Sequence, residues 1–479
     1  MSALSARLRG ADGVHAALAG VVIVAGIAVR AALLGAPMRY DEAFSFERYA
    51  MLPQGVIRHL YDLPNNHVLN SLLMHLAWDV LGVRTLTVRL AAFLLGAAVP
   101  VAGYAAARVL YGPRAALWAA ALLAGSGPLV EFSANGRGYA PGIALMLVAL
   151  WAGALILRGR RLWPVPVLAV AGALAAYAVP TIAFGLAAGG LFLGASALLR
   201  RRPDPRTLAA LAVGVAAGGL LALLLYAPLR GQPGWTIQPP LPDLWPYKRD
   251  LIKQTWAIWN RTTPHPLDWL IAIGFVVSLA AHRRLARDSF PLGLAGLIAG
   301  GAVLLTSRVP PFPRGFVALL PVYLLAAAAG LSWLADLALA RLPRARAALA
   351  GGAVAVVVAV AMAVTLLHAG LLGSEEPPQS DTAIVPYVRD QLKAPEVLMN
   401  QFSFAPAVNF YFMRDGYPGG RGNVTPAMLA AGHAVTIVEG DRPEEAAGTV
   451  ASVGGRPAGP PRLLRRFEFI SVWDVPVGR

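Results

Sequence analysis

Four clusters of polar residues stand out from an otherwise apolar chain. The first is Arg39-Tyr40-Asp41-Glu42, directly after the apolar run Val14 to Ala36. Carboxylates resist dehydration, so a pair at the end of a membrane-length segment calls for an explanation. Acids also favour the first turn of a helix, and capping is the plain alternative. The second cluster is Asn65-Asn66-His67, heading LPNNHVLNSLLMHLAWDVLG. One asparagine can cap that helix. His67 then remains, as a hydrogen-bonding group or as a ligand. The third is Glu131-Phe132-Ser133-Ala134-Asn135-Gly136-Arg137-Gly138-Tyr139, where glycine on both sides of Arg137 gives the backbone room to bend. The fourth is Arg308 and Arg314, flanking Pro310, Pro311 and Pro313. These arginines could equally snorkel from helix ends.

One carboxylate and several arginines at a membrane surface suit transfer from a lipid phosphate. Arginine grips phosphate through paired, charge-assisted hydrogen bonds. A carboxylate can take the proton of a hydroxyl as that hydroxyl adds to a sugar carbon. The departing phosphate carries charge that arginine can stabilise, which replaces a general acid. Asp41, Glu42 and His67 are hard or borderline ligands, so a divalent cation is compatible with the set. Neutralisation by arginine makes it unnecessary, and no metal site is assigned.

These residues need a membrane scaffold, and composition supplies one. The chain has 479 residues, 57% hydrophobic and 14% charged, against about 25% charged in soluble domains. It has no cysteine, so disulfides and thiolate metal sites are excluded. The net charge of +16 would point to nucleic acid in a soluble protein. Here the arginines sit in short breaks between apolar runs, a topological signal, and no nucleic-acid partner is expected. At about 20 apolar residues per span, eleven candidates emerge: 14–36, 86–110, 115–132, 139–157, 164–180, 181–200, 207–229, 266–281, 290–306, 315–333 and 347–371. The first run is longer than a signal core and is read as a retained span.

With the N-terminus inside, every inner connection is basic. They hold Arg7 and Arg9; Arg108 and Arg114; Arg158, Arg160 and Arg161; Arg200, Arg201, Arg202 and Arg206; Arg283, Arg284 and Arg287; Arg341, Arg344 and Arg346. All four polar clusters then fall on the outer side. The first outer connection, 37–85, reads as two surface segments near 41–52 and 66–82. The loop 230–265 is rich in Trp and Pro and carries Lys248, Arg249, Lys253 and Arg261. From Ser374 the chain turns polar, with short strands at 396–400 and 434–438 and helices at 382–392 and 405–412. The expected organisation is an all-α polytopic domain over 1–372 and a small extracytoplasmic α/β domain over 373–479.

The chain resembles the GT-C superfamily of membrane glycosyltransferases. Within it, the likeness is to glycosyltransferase family 39 and its relatives, the protein O-mannosyltransferases and the aminoarabinose transferases of lipid A. RYDEAFSFERYA matches the acidic pair of the family's first outer loop. NNHVLNSLLMHLAWDVLGVRTLTVRLAAFLLG resembles its His-Pro-Pro segment and surface helix. FSANGRGYAPGIALMLVAL matches its aromatic-Ser-x-Glu-x-Arg-x-Tyr stretch, and PPFPRGFVALLPVYLLAAAAGL its late arginine. The resemblance implies a GT-C fold, a polyprenyl-phosphate-linked sugar donor, an envelope acceptor (lipid, glycan or protein) and inversion at the sugar carbon. Asp41 takes the place of the catalytic base, with Glu42 as its companion. His67, with Asn66 before it, occupies the histidine position; Arg137, Tyr139 and Arg314, with Arg308 nearby, are implied donor contacts. Val68 stands for the family's proline after the histidine, and Asn135 for a common acid.

The second reading is a transporter or flippase of a lipid-linked sugar. It calls for charges near the midplane and for broken, repeated spans. The apolar runs are nearly free of charge, which favours the transferase.

Overall fold

The computed structural model describes residues 11–159, 162–200, 203–235, 245–286, 288–307, 312–369, 383–392, 397–399, 405–417, 420–421, 424–467 and 470–478. Arg308 lies outside them, as do Arg7, Arg9, Arg160, Arg161, Arg201, Arg202 and Arg287 of the inner connections. Glu396 and Asn400, at the ends of one expected strand, also lie outside.

Each of the eleven expected ranges carries a helix. Among the described residues seven helices are long and apolar enough to cross a bilayer, and the pair Pro113–Gly125 and Gly127–Ser133, bent by 61°, makes an eighth. Pro164–Ala178 and Leu292–Thr306 have 15 residues and Leu267–Ala280 has 14. At 1.5 Å per residue these reach about 22 Å, against a hydrocarbon core of about 30 Å. Length alone therefore carries eight crossings of the eleven expected.

The chain forms two compact units. The first is Met1–Leu34, Gln54–Leu73 and Arg89–Gly370. Its helices pack through small residues, as membrane helices do. A Cβ added at Gly330 would collide with the Gly274 carbonyl, and one at Gly274 would come within 2.8 Å of the Ala327 carbonyl. The helices Leu267–Ala280 and Leu320–Ala338 can thus cross closely only because both positions are glycine.

The second unit is Gly35–Pro53, Met74–Val88 and Leu371–Arg479. The expected cut at residue 372 left out the two outer-loop stretches. Its sheet runs β2 (Gly420–Arg421), β1 (Val397–Met399), β3 (His433–Glu439), β6 (Ile470–Gly478), β4 (Arg456–Pro457), with β5 (Arg462–Arg466) also paired to β6. β1 is parallel to β2 and β3, and β3 is antiparallel to β6. The outer-loop stretches belong to this unit because they share its core. Met38, Phe46 and Met74 are buried in one cluster with Phe410, Ile437 and Val472. The expected surface segments appear as a helix Tyr40–Ser45 running into a π-turn Phe46–Ala50, and a helix Val68–Leu81.

Candidate functional site

In the first unit the bend between Gly125 and Gly127 leads into the segment that carries Arg137 and Tyr139. The short helix Gly127–Ser133 ends at Ala134, and residues 134–138 turn back into the helix Tyr139–Arg158. Gly136 and Gly138 fix this turn against the start of Val68–Leu81. The Asn70 carboxamide Nδ2 donates to the Gly136 carbonyl at 2.9 Å. The Gly138 N–H donates to His67 Nδ1 at 2.9 Å. A Cβ at Gly138 would strike the Ala178 carbonyl and lie 3.0 Å from the His67 Cβ, so the approach requires glycine.

That bond assigns the tautomer of His67. Nδ1 accepts, so in the neutral ring Nε2 carries the proton. Burial, then the positive charges of Arg137 and Arg314, hold the His67 pKa well below the ordinary imidazole value. The ring is neutral near pH 7. Its Nε2–H lies 3.4 Å from Arg137 Nη2. Both are donors, so neither satisfies the other. Tyr139 closes one side, with its ring edge-on to His67 at 5.2 Å and the Arg137 guanidinium 5.7 Å from its centroid. Arg314 sits on the 3-10 segment Pro313–Leu319, its guanidinium 5.1 Å from the Phe312 ring. His67, Arg137 and Tyr139 are thus brought together, and the charge of Arg314 reaches His67.

Asn66 is used otherwise. Its Nδ2 donates to the carbonyls of Leu60 at 2.6 Å and Ile57 at 3.3 Å, and its Oδ1 accepts from Ser71 Oγ at 2.8 Å. The carboxamide is committed to shaping the entry into the helix. Asn70 and Asn135 were not singled out as ligands by the sequence. Each holds a buried Oδ1 with no donor among the described residues. Beside the arginine segment runs an apolar cavity of about 520 Å³, lined by Trp256, Trp259, Phe275, Phe316, Leu319 and Tyr323.

In the second unit Asp41 and Glu42 open the helix Tyr40–Ser45. Glu42 is fully buried and its Oε1 accepts from the Arg39 N–H at 3.0 Å. Asp41 is half-buried, and its carbonyl accepts from Ser45 Oγ at 2.7 Å. The two acids therefore differ: Glu42 pins the helix start, and Asp41 is the one with an accessible side chain. The C-terminal helix Ala405–Arg414 holds this segment in place. The Met38 N–H donates to the Tyr411 hydroxyl at 2.8 Å, and Phe46 packs edge-on against Phe410 at 5.8 Å. Glu47 has one buried carboxyl oxygen with no donor among the described residues, and Asn409 hydrogen-bonds the carboxyl. Burial pushes its pKa up to about 8. Among the described residues no three His, Asp or Glu side chains converge as a metal site.

Residues 68–229 match the model of the dolichyl-phosphate-mannose-protein mannosyltransferase family. The matched stretch contains Arg137 and Tyr139 and ends before Arg314. Over 95% of its length the chain superposes on the crystal structure of ArnT from Cupriavidus metallidurans in the apo state, covering 97% of that chain, with a TM-score of 0.60 and 15% identity. The same protein bound to undecaprenyl phosphate gives the same TM-score, identity and coverage. No curated protein matches the sequence. The chain has the fold of the ArnT structures. Among the solved structures that it matches are these two of ArnT, one free and one bound to undecaprenyl phosphate.

Proposed function

We propose that this chain is a glycosyltransferase that moves a sugar from a polyprenyl-phosphate donor to an acceptor of the cell envelope, at the extracytoplasmic face of the membrane. The observation that carries the reading is the convergence of two donors, the His67 Nε2–H and the Arg137 guanidinium, within the positive field of Arg314. A neutral histidine whose proton is aimed beside an arginine suits a phosphate oxygen. The apolar cavity lined by Phe316 and Leu319, on the segment that carries Arg314, suits an isoprenoid tail. ArnT bound to undecaprenyl phosphate supports the donor class. The orientation rests on the basic inner connections, of which Arg108, Arg114, Arg158, Arg200, Arg206, Arg283, Arg284, Arg341 and Arg346 are described.

In this mechanism Asp41 takes the proton of the acceptor hydroxyl. The hydroxyl oxygen bonds to the anomeric carbon from the face opposite the phosphate. The bond from that carbon to the phosphate oxygen breaks, and its electron pair leaves with the phosphate. The result is inversion. Arg137, Arg314 and His67 hold the phosphate as its charge grows. Asp41→Asn keeps the size and removes the base, so transfer to acceptor is lost while donor binding persists. Normal turnover by this variant would remove Asp41 from the mechanism.

A flippase is the second reading, and one observation favours it: Arg30 is a fully buried charge inside the first span. Its hydrogen bonds, described next, are all to the protein. Lipid-linked sugar translocation in vesicles that survived Asp41→Asn, with no transfer by the native chain, would decide for the flippase.

A further inference from the structure

The third span breaks where its sequence requires it. In an unbroken helix the Ala124 carbonyl would accept from the N–H of residue 128, and the Leu123 carbonyl from that of residue 127. Residue 128 is proline and has no N–H. Ser126 is extended, at φ −63° and ψ 114°, which also removes the bond from Gly127. Two carbonyls are thus left over within the membrane, where no water offers a replacement.

Arg30 supplies the donors. Its Nη2 donates to the Leu123 carbonyl at 3.1 Å and its Nη1 to the Ala124 carbonyl at 3.0 Å. Nη1 also donates to the Gly26 carbonyl of its own helix at 2.9 Å. The remaining bond, from Nε to Ser133 Oγ at 3.2 Å, reaches the last residue of the short helix. One guanidinium therefore holds both sides of the bend. Small residues make room for it. A Cβ at Gly26 would come within 2.7 Å of the Ala124 Cβ, and one at Gly96 would collide with Ser133.

Four residues beyond Ser133 stands Arg137. The segment between is a tight turn, with the Arg137 N–H donating to the Asn135 carbonyl at 2.6 Å. The direction of the short helix therefore sets where the Arg137 guanidinium meets His67. We infer that Arg30 is a positioning residue for donor binding: it fixes the bend of the third span, and through Ser133 it places Arg137 at the phosphate. This rests on the reading of Arg137 as a donor contact.

The test is a double-mutant cycle on the full chain in detergent, with binding of undecaprenyl phosphate as the readout and thermal stability measured beside it. Arg137→Ala alone lowers affinity at least about tenfold, the loss of one charge-assisted contact. Arg30→Lys keeps the charge but cannot span the four acceptors, and lowers affinity about three- to tenfold. In the double variant the Arg30→Lys loss disappears, leaving affinity within about twofold of Arg137→Ala. Losses that multiply instead overturn the inference, because a general structural defect is indifferent to Arg137. If Arg30→Lys yields no folded protein, Ser133→Ala, which removes one acceptor, runs the same cycle under the same criterion. Native affinity in Arg137→Ala alone defeats the donor reading itself, and is seen before Arg30 is touched.

Discussion

Glu47 makes the second unit sensitive to pH, in a direction the structure fixes. Its carboxyl titrates near pH 8 in the folded chain, against an ordinary value of 4.5. The folded state thus holds its proton more tightly than the unfolded state. The associated stability is fully present below about pH 4.5, declines as the unfolded chain ionises, and is lost by about pH 8. At pH 7 the gap is about 2.5 units, or about 3 kcal/mol at 1.36 kcal/mol per unit; partial exposure of the side chain lowers this to about 2. Glu47→Gln keeps the shape and a partner for Asn409 and removes the titration. Melting of the detergent-solubilised chain at pH 5 and pH 8 checks this. The variant should exceed the native protein by about 4–8 °C at pH 8 and by less than a quarter of that at pH 5. An equal difference at both values, or a native melting point flat between them, would refute the argument. Because the π-turn bearing Glu47 directly follows the helix bearing Asp41, the same titration should erode transfer activity in the native chain above pH 8.

Three further outcomes are expected. Arg137→Lys keeps the charge and loses the planar fork, and donor titration should show affinity between those of the native chain and Arg137→Ala. Gly138→Ala forces a Cβ onto the Ala178 carbonyl and the His67 side chain, and should weaken donor binding about tenfold with little change in expression, measured by the same titration. Tyr411→Phe strips the acceptor from the Met38 N–H and should cost about 1 kcal/mol of stability, read as a lower melting point, with the greater loss in kcat because Asp41 loses its support.

Much of this was legible in the sequence because the signals were local. Apolar runs placed a helix in each of the eleven expected ranges, eight of them long enough to cross, and the acid pair announced itself by following the first run. The glycines around Arg137 marked a turn that the structure uses to reach His67. What escaped was carried by long-range pairing. Arg30 sits inside the run 14–36, where one arginine among apolar residues reads as incidental; its partners stand 93, 94 and 103 positions away. Pro128 was the available clue, since a proline within a span leaves a carbonyl to be satisfied. The tie from the first outer loop to the helix Ala405–Arg414 could not be seen, because Phe46, Phe410 and Tyr411 have no periodic or motif signature. Glu42 looked like half of a catalytic pair, and its burial beneath the Arg39 N–H shows the capping role that its position also allowed.

The bond between Met38 and Tyr411 joins positions 373 residues apart. A ribosome adding roughly 5–20 residues per second needs roughly 20–75 seconds to cover that distance. For all that time the acid-bearing segment has its neighbours from Met74–Val88 but not those of the helix Ala405–Arg414. The spans can enter the bilayer while the segment with Asp41 waits for the last quarter of the chain to complete its packing. On the proposed function, catalytic competence is tied to completed synthesis: a product cut short after the final span would keep His67 beside Arg137 and leave the segment bearing Asp41 without the bond from Met38 to Tyr411.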